Sequence, residues 1–148
     1  MRLHYNDGGR QAAGFRGTTS DCVVRAVAIA TGLPYQQIYD RINEIAQDER
    51  PRRNKKTGKR HARSSSASGV YNYSLDRLMK ELGWIWTPTM GIGTGCRVHL
   101  RDGELPPGRL VVAVPKHLTA VIDGVIHDTH DPSRNGTRCV YGYYWRRP

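Results

Sequence analysis

Cys22 stands where a run of small polar residues, Thr18-Thr19-Ser20-Asp21, gives way to Val23-Val24-Arg25-Ala26-Val27-Ala28-Ile29-Ala30. Val23, Val27 and Ala30 share one helical face, with Ala26 beside them, so the cysteine falls at a helix N-terminus. The partial positive charge of a helix start favours thiolate over thiol. The thiolate is the nucleophilic form of the side chain. Such a nucleophile works with a base, and the base with a group that orients it. Six histidines are available. His4 and His61 fall in segments expected to be mobile, and His99 follows a Gly-rich turn. His117, His127 and His130 gather around Asp123-Gly124, the strongest hairpin signal in the chain.

A two-residue turn sets Ile122 opposite Val125, Thr119 opposite Asp128 and His117 opposite His130. Alternation along each strand then puts His117, Thr119, Val121, Ile126, Asp128 and His130 on one face, with His127 and Asp131 on the other. His117 and Asp128 become diagonal neighbours within side-chain reach. The candidate catalytic set is Cys22 as nucleophile, His117 as base and Asp128 as orienting group. His130 competes for the base role, and a bulge before Asp131-Pro132 would promote Asp131 over Asp128. The ligand spacing for a metal is poor: imidazoles three apart on a strand point to opposite faces, and no Cys-x-x-Cys is present. No metal and no cofactor is expected.

Asp21-Cys22-Val23-Val24-Arg25-Ala26, followed by the block from His117 to Gly124 and then Asp128, resembles the papain-like cysteine peptidases. The first block is similar to the Asp-Cys start of bacteriocin-exporter peptidase domains and to the cysteine-helix motif of ovarian-tumour-type deubiquitinases, with a glycine missing here. The whole chain is most similar to small phage and bacterial papain-fold proteins. The two blocks cover about a third of the chain. The resemblance implies a thiol hydrolase, a peptidase or isopeptidase, working on a protein or peptide substrate through a thioester acyl-enzyme. The family places a Gln or Asn shortly before the cysteine as an oxyanion donor, and the residue six before Cys22 is Arg16. Thr18, Thr19 and Ser20, with Gln11 and Asn6 further upstream, are the oxyanion candidates, beside the backbone N–H of Cys22 itself.

A first helix is predicted over about 21–30, with Asp21 or Ser20 as N-cap and Gly32 as its stop. Pro34 opens a second helix carrying Tyr35, Ile38, Tyr39, Ile42 and Ile45 at helical spacing. Residues 50–69 are predicted to be a mobile loop or flap, and a third helix runs over about 74–82 with Ser74 as cap. Trp84-Ile85-Trp86, Val98-His99-Leu100, 110–114, 118–122, 125–129 and 139–145 read as strands, and residues 1–17 as an extended arm. Helices first and an antiparallel sheet second make an α+β layout, a single papain-like domain over 1–148.

The net charge of +10 is local. Residues 50–63 hold Arg50, Arg52, Arg53, Lys55, Lys56, Lys59, Arg60 and Arg63 with no acid, and the rest of the chain carries 15 basic against 13 acidic residues. Arg52, Arg53, Lys55, Lys56, Lys59 and Arg60 offer a polyanion contact, and a polyanion or nucleic-acid binder is one alternative function. The segment has no interleaved aromatic residue to stack on bases. A papain-fold binding protein with little turnover is the other alternative. No stretch approaches the length of a membrane span, and no secretory signal is visible, so no membrane partner is expected. Three irregularly spaced cysteines make no disulfide framework, and nothing in the spacing requires Cys96 and Cys139 to bridge. The expectation is a cytoplasmic protein. Trp84, Trp86 and the tyrosines at 141, 143 and 144 read as core and sheet surface.

Overall fold

The computed structural model describes residues 1–17, 19–50 and 53–148. Thr18 and Arg52 lie outside the described residues. Helices α1 (Cys22–Thr31), α2 (Tyr35–Ala46) and α3 (Asn72–Glu81) come before most of the sheet. The strands are β1 (Arg2–Tyr5), β2 (Ile85–Pro88), β3 (Arg109–Val114), β4 (His117–Ile122), β5 (Val125–Asp128) and β6 (Gly142–Trp145). They form one sheet in the order β1-β5-β4-β3-β6-β2.

The fold is α+β, but the sheet is mixed rather than antiparallel. The predicted N-terminal arm contains β1, which runs parallel to β5 from Arg2 opposite Val125 to Tyr5 opposite Asp128. Every side chain of β1 is exposed, so its four residues show no apolar alternation to read; its backbone ladder is what fixes it. All other strand pairs are antiparallel.

α1 is apolar on most sides, as a helix sandwiched between layers must be. Val24, Val27 and Ala30 pack with Ile38 and Ile42 of α2, Leu75 and Leu78 of α3, and Val111, Leu118 and Ala120 of the sheet. Gly32 closes α1 in the left-handed conformation (φ 74°), its N–H donating to Ala28, as the sequence predicts. The opposite sheet face buries Leu110, Val112, Val121 and Ile126 under Leu100 and Val140. β4, covered on both faces, is therefore apolar without alternation.

Several local expectations need correction. Ser74 lies inside α3, whose first residue is Asn72, and its hydroxyl is spent on the buried Glu49 carboxylate rather than on a cap. Val98-His99-Leu100 forms only a single bridge, His99 to Cys139. The 50–69 segment divides. Arg53, Lys55, Lys56, Lys59 and Arg60 are all exposed, but residues 64–69 are fastened down. Ser64 donates to Glu49 through its N–H and its hydroxyl, and Ser66 donates to the Asn43 side chain (2.9 Å) and the Tyr39 carbonyl (2.6 Å). Serines that look like a solvated tract are hydrogen-bonded anchors, a distinction that composition does not carry. Cys96 and Cys139 form a disulfide with their Cα atoms 5.8 Å apart. The His99–Cys139 bridge and the bond from the Val140 N–H to the Val98 carbonyl bring the two chain segments together. Sequence spacing holds no trace of that pairing. No helix among the described residues is long and apolar enough to cross a membrane.

Candidate active site

Cys22 is the first residue of α1, and the chain's one free cysteine. His117 is the first residue of β4 and Asp128 the last of β5. The Asp123-Gly124 turn has positive φ at both positions (48° and 78°), the form a two-residue hairpin of this twist requires. It sets Ile122 opposite Val125 and Ala120 opposite His127, the predicted register. By alternation, His117, Thr119 and Asp128 then share the face of Val121 and Ile126, while Leu118 and Ala120 turn to α1. The meeting with α1 therefore happens at the sheet's end, where strand-terminal side chains are free to turn toward the helix N-terminus.

The contacts follow from that placement. The His117 Nε2 lies 2.8 Å from the Asp128 Oδ2, and His117 and Cys22 line the same cleft. With Nε2 held by Asp128, Nδ1 is the nitrogen left for the sulfur. Asp128 is buried and its oxygens are filled: the Thr119 hydroxyl donates to Oδ2 (2.7 Å), and the Thr129 N–H donates to Oδ1 (2.7 Å). The Arg25 guanidinium adds a contact to Oδ1 at 3.4 Å.

Protonation follows from the same contacts. Burial disfavours a charged Cys22, but hydrogen bonds from His117 and the Leu118 backbone, and the charges of His117 and Arg25, outweigh it and hold the thiol below its usual value. Burial likewise opposes a charged His117, yet the bonds to Asp128 and Cys22 raise it to about 9. Asp128 is lowered to about 2, its burial overcome by the bonds from His117 and Thr119. The lowered thiol and the raised imidazole both favour a thiolate–imidazolium pair, backed by the Asp128 carboxylate.

The competitors do not join this set. His130 is exposed, with its ring centroid 4.9 Å from that of His117 and its Nδ1 3.8 Å from Asp128. His117 pairs with Asp128, while the Asp131 Oδ1 accepts the Ser133 N–H (2.9 Å) in its own Asx turn beyond the end of β5. The oxyanion candidates are also otherwise engaged. The Thr19 hydroxyl and the Ser20 N–H both donate to the Ala67 carbonyl (2.8 and 2.9 Å), tying the 64–69 segment to the start of α1. Gln11 lines a different cavity, with Asp7 and Arg10.

Sequence reasoning missed one supporting layer. Asp21 occupies the N-cap position but makes no cap bond with its side chain. Its carboxylate is buried and paired with Arg25, and it accepts the Tyr35 hydroxyl (2.5 Å). Arg25 thereby links Asp21 to Asp128 across the top of α1. The available signal was the Asp21–Arg25 spacing of one helical turn. The cleft beside Cys22 was missed too. It encloses about 520 Å³ and is lined by Cys22, His117, Asn72, Asp76, Trp86 and Tyr141 among others. Among the described residues there is no cluster of His, Cys, Asp and Glu arranged to hold a metal ion.

No family model, curated protein or solved structure matches this chain.

Proposed function

We propose that the protein is a single-domain papain-like thiol hydrolase, a peptidase or isopeptidase, with Cys22, His117 and Asp128 as its catalytic residues. The observation that carries this reading is the position of His117, which lines the cleft beside Cys22 and pairs through Nε2 with Asp128. The Cys22 thiolate attacks the carbonyl carbon of an amide in the cleft. The imidazolium of His117 gives its proton to the departing amine as the C–N bond breaks, leaving a thioester on Cys22. Neutral His117 then takes a proton from water, the resulting hydroxide adds to the thioester, and the thiolate leaves. Asp128 holds the imidazole in one tautomer and favours its charged form.

For the oxyanion, the Cys22 N–H at the first turn of α1 has no acceptor within the helix and is free to donate. Asn72 is the one side-chain amide among the cleft's lining residues and is the candidate second donor. Iodoacetamide alkylation reads the nucleophile directly. Cys22 should react at pH 6, and His117→Ala should slow that reaction at least about tenfold and move its onset toward the ordinary thiol range near about 8.5. Wild-type protein reacting only in that ordinary range would overturn the reading.

A second reading, a binding protein of this fold without turnover, is favoured by the engagement of Thr19 and Ser20 with Ala67. Alkylation at pH 6 with no release from peptidyl-aminomethylcoumarin substrates would select it. The exposed Arg53, Lys55, Lys56, Lys59 and Arg60 supply a polyanion contact on charge grounds.

A further inference from the structure

The cleft beside Cys22 is lined unevenly. Away from Cys22 and His117 it reaches Asp76 of α3, Trp86 of β2, Tyr144 of β6 and Tyr141 just before that strand. Trp86 is 40 % exposed and Tyr141 43 %, so both leave aromatic surface uncovered inside a concavity. The Trp86 and Tyr144 rings are tilted against each other, centroids 4.8 Å apart. Tyr144 is buried, and its hydroxyl donates to the Asp76 Oδ1. That bond and burial hold its phenol above the usual range, so it stays a donor.

Asp76 is the one acid among the described residues that line this cleft. Asp76 is exposed and forms no ion pair with any described residue, not even with Lys116, which lines the same cleft. A carboxylate left without a cation beside aromatic faces is the chemistry that receives an ammonium or guanidinium: charge from the acid, cation–π attraction from the rings.

We propose that this cleft binds a cationic side chain, Arg or Lys, of a peptide substrate whose scissile carbonyl lies at Cys22. The proposal rests on the hydrolase reading for its reaction but not for its binding. The test is accordingly built on binding. Benzoyl-argininamide and benzoyl-citrullinamide, alike in shape but differing in charge, would be titrated into Cys22→Ser protein by NMR. The argininamide should bind about tenfold more tightly, and Asp76→Asn, which keeps an acceptor for Tyr144, should bring the two within about twofold. Equal affinities in the presence of a fully structured spectrum would overturn the cationic site, whatever Cys22 does. Preference for argininamide in that variant, together with wild-type protein whose Cys22 is not alkylated at pH 6, would support the cationic site and overturn the hydrolase alone.

Discussion

The His117–Asp128 pair couples the site to pH in a way that can be measured without a substrate. Asp128 is held at about 2 against an ordinary 3.8, so its stabilising contribution is complete above the ordinary value and disappears as pH falls through about 2. His117 is held at about 9 against 6.5, so its contribution is complete below 6.5 and is lost as pH rises through about 9. Urea midpoints for this pair should therefore be highest between about pH 4 and pH 6.5 and decline on both sides. The acid-side loss assigned to Asp128 is about 2 kcal/mol, from its shift at 1.36 kcal/mol per pH unit. In Asp128→Asn the alkaline decline should move to lower pH, because the imidazolium loses its carboxylate. An unchanged alkaline limb in that variant would mean that His117 is not sustained by Asp128. Cys22 is poised in the opposite sense, since its lowered value favours the charged thiolate beside that imidazolium.

At the scale of elements, the site depends on two termini and one thin strand. α1 presents Cys22 because the helix begins there, and Asp21, instead of capping it, binds Arg25 and Tyr35 from below. β1 braces the other side, with the Asn6 N–H donating to the Asp128 carbonyl (3.0 Å). β6 is the thin strand. Gly142 lies opposite Pro88 of β2 and Ala113 of β3, and a Cβ there would meet the Trp86 Cη2 at 2.6 Å and the Thr87 carbonyl oxygen at 2.7 Å. The absent side chain leaves room for the Trp86 ring over Gly142, where that ring also lines the cleft. Gly142→Ala should destabilise the protein by roughly 1–3 kcal/mol, as overpacking does, and should quench or shift the tryptophan fluorescence as Trp86 is displaced. A chemical-denaturation curve superimposable on that of the wild type would show that β2 accommodates the methyl group.

For the molecule as a whole, the disulfide ties the 89–101 region to the start of the last strand, under the second core layer. The bridged cysteines are 43 residues apart, and closing a loop of that size stabilises by roughly 2–4 kcal/mol in the chain-entropy account. Cys139→Ser should therefore lower the unfolding free energy from denaturant titration by that amount, and dithiothreitol should do the same to the wild type but not to the variant. Because the bridge lies away from the Cys22 cleft, alkylation of Cys22 at pH 6 should persist in folded Cys139→Ser protein. The +10 charge is spread no more evenly in space than in sequence, since the 53–63 cations are exposed in one segment while Arg25, Arg41 and Arg77 are paired elsewhere.

Read alone, the sequence was sufficient wherever a local rule decides. Gly32 ends α1 because a left-handed residue must follow the last turn, and Asp123-Gly124 sets the β4–β5 register because two positive φ angles admit one tight hairpin. From those two rules His117, Thr119 and Asp128 fall on one strand face, and Cys22 at a helix start. What remained to tertiary structure was everything between residues far apart in the chain with no periodic signature. These are the parallel addition of β1 to β5, the 64–69 serines bound to Glu49, Asn43 and Tyr39, the Cys96–Cys139 bridge, and the Arg25 link from Asp21 to Asp128. Each rests on polar or covalent contacts whose partners are selected by where the layers bring them, not by spacing along the chain. The meeting of Cys22 with His117 belongs to that second class as well: the sequence put each at the end of an element, and the packing of α1 on β4 brought the two ends together.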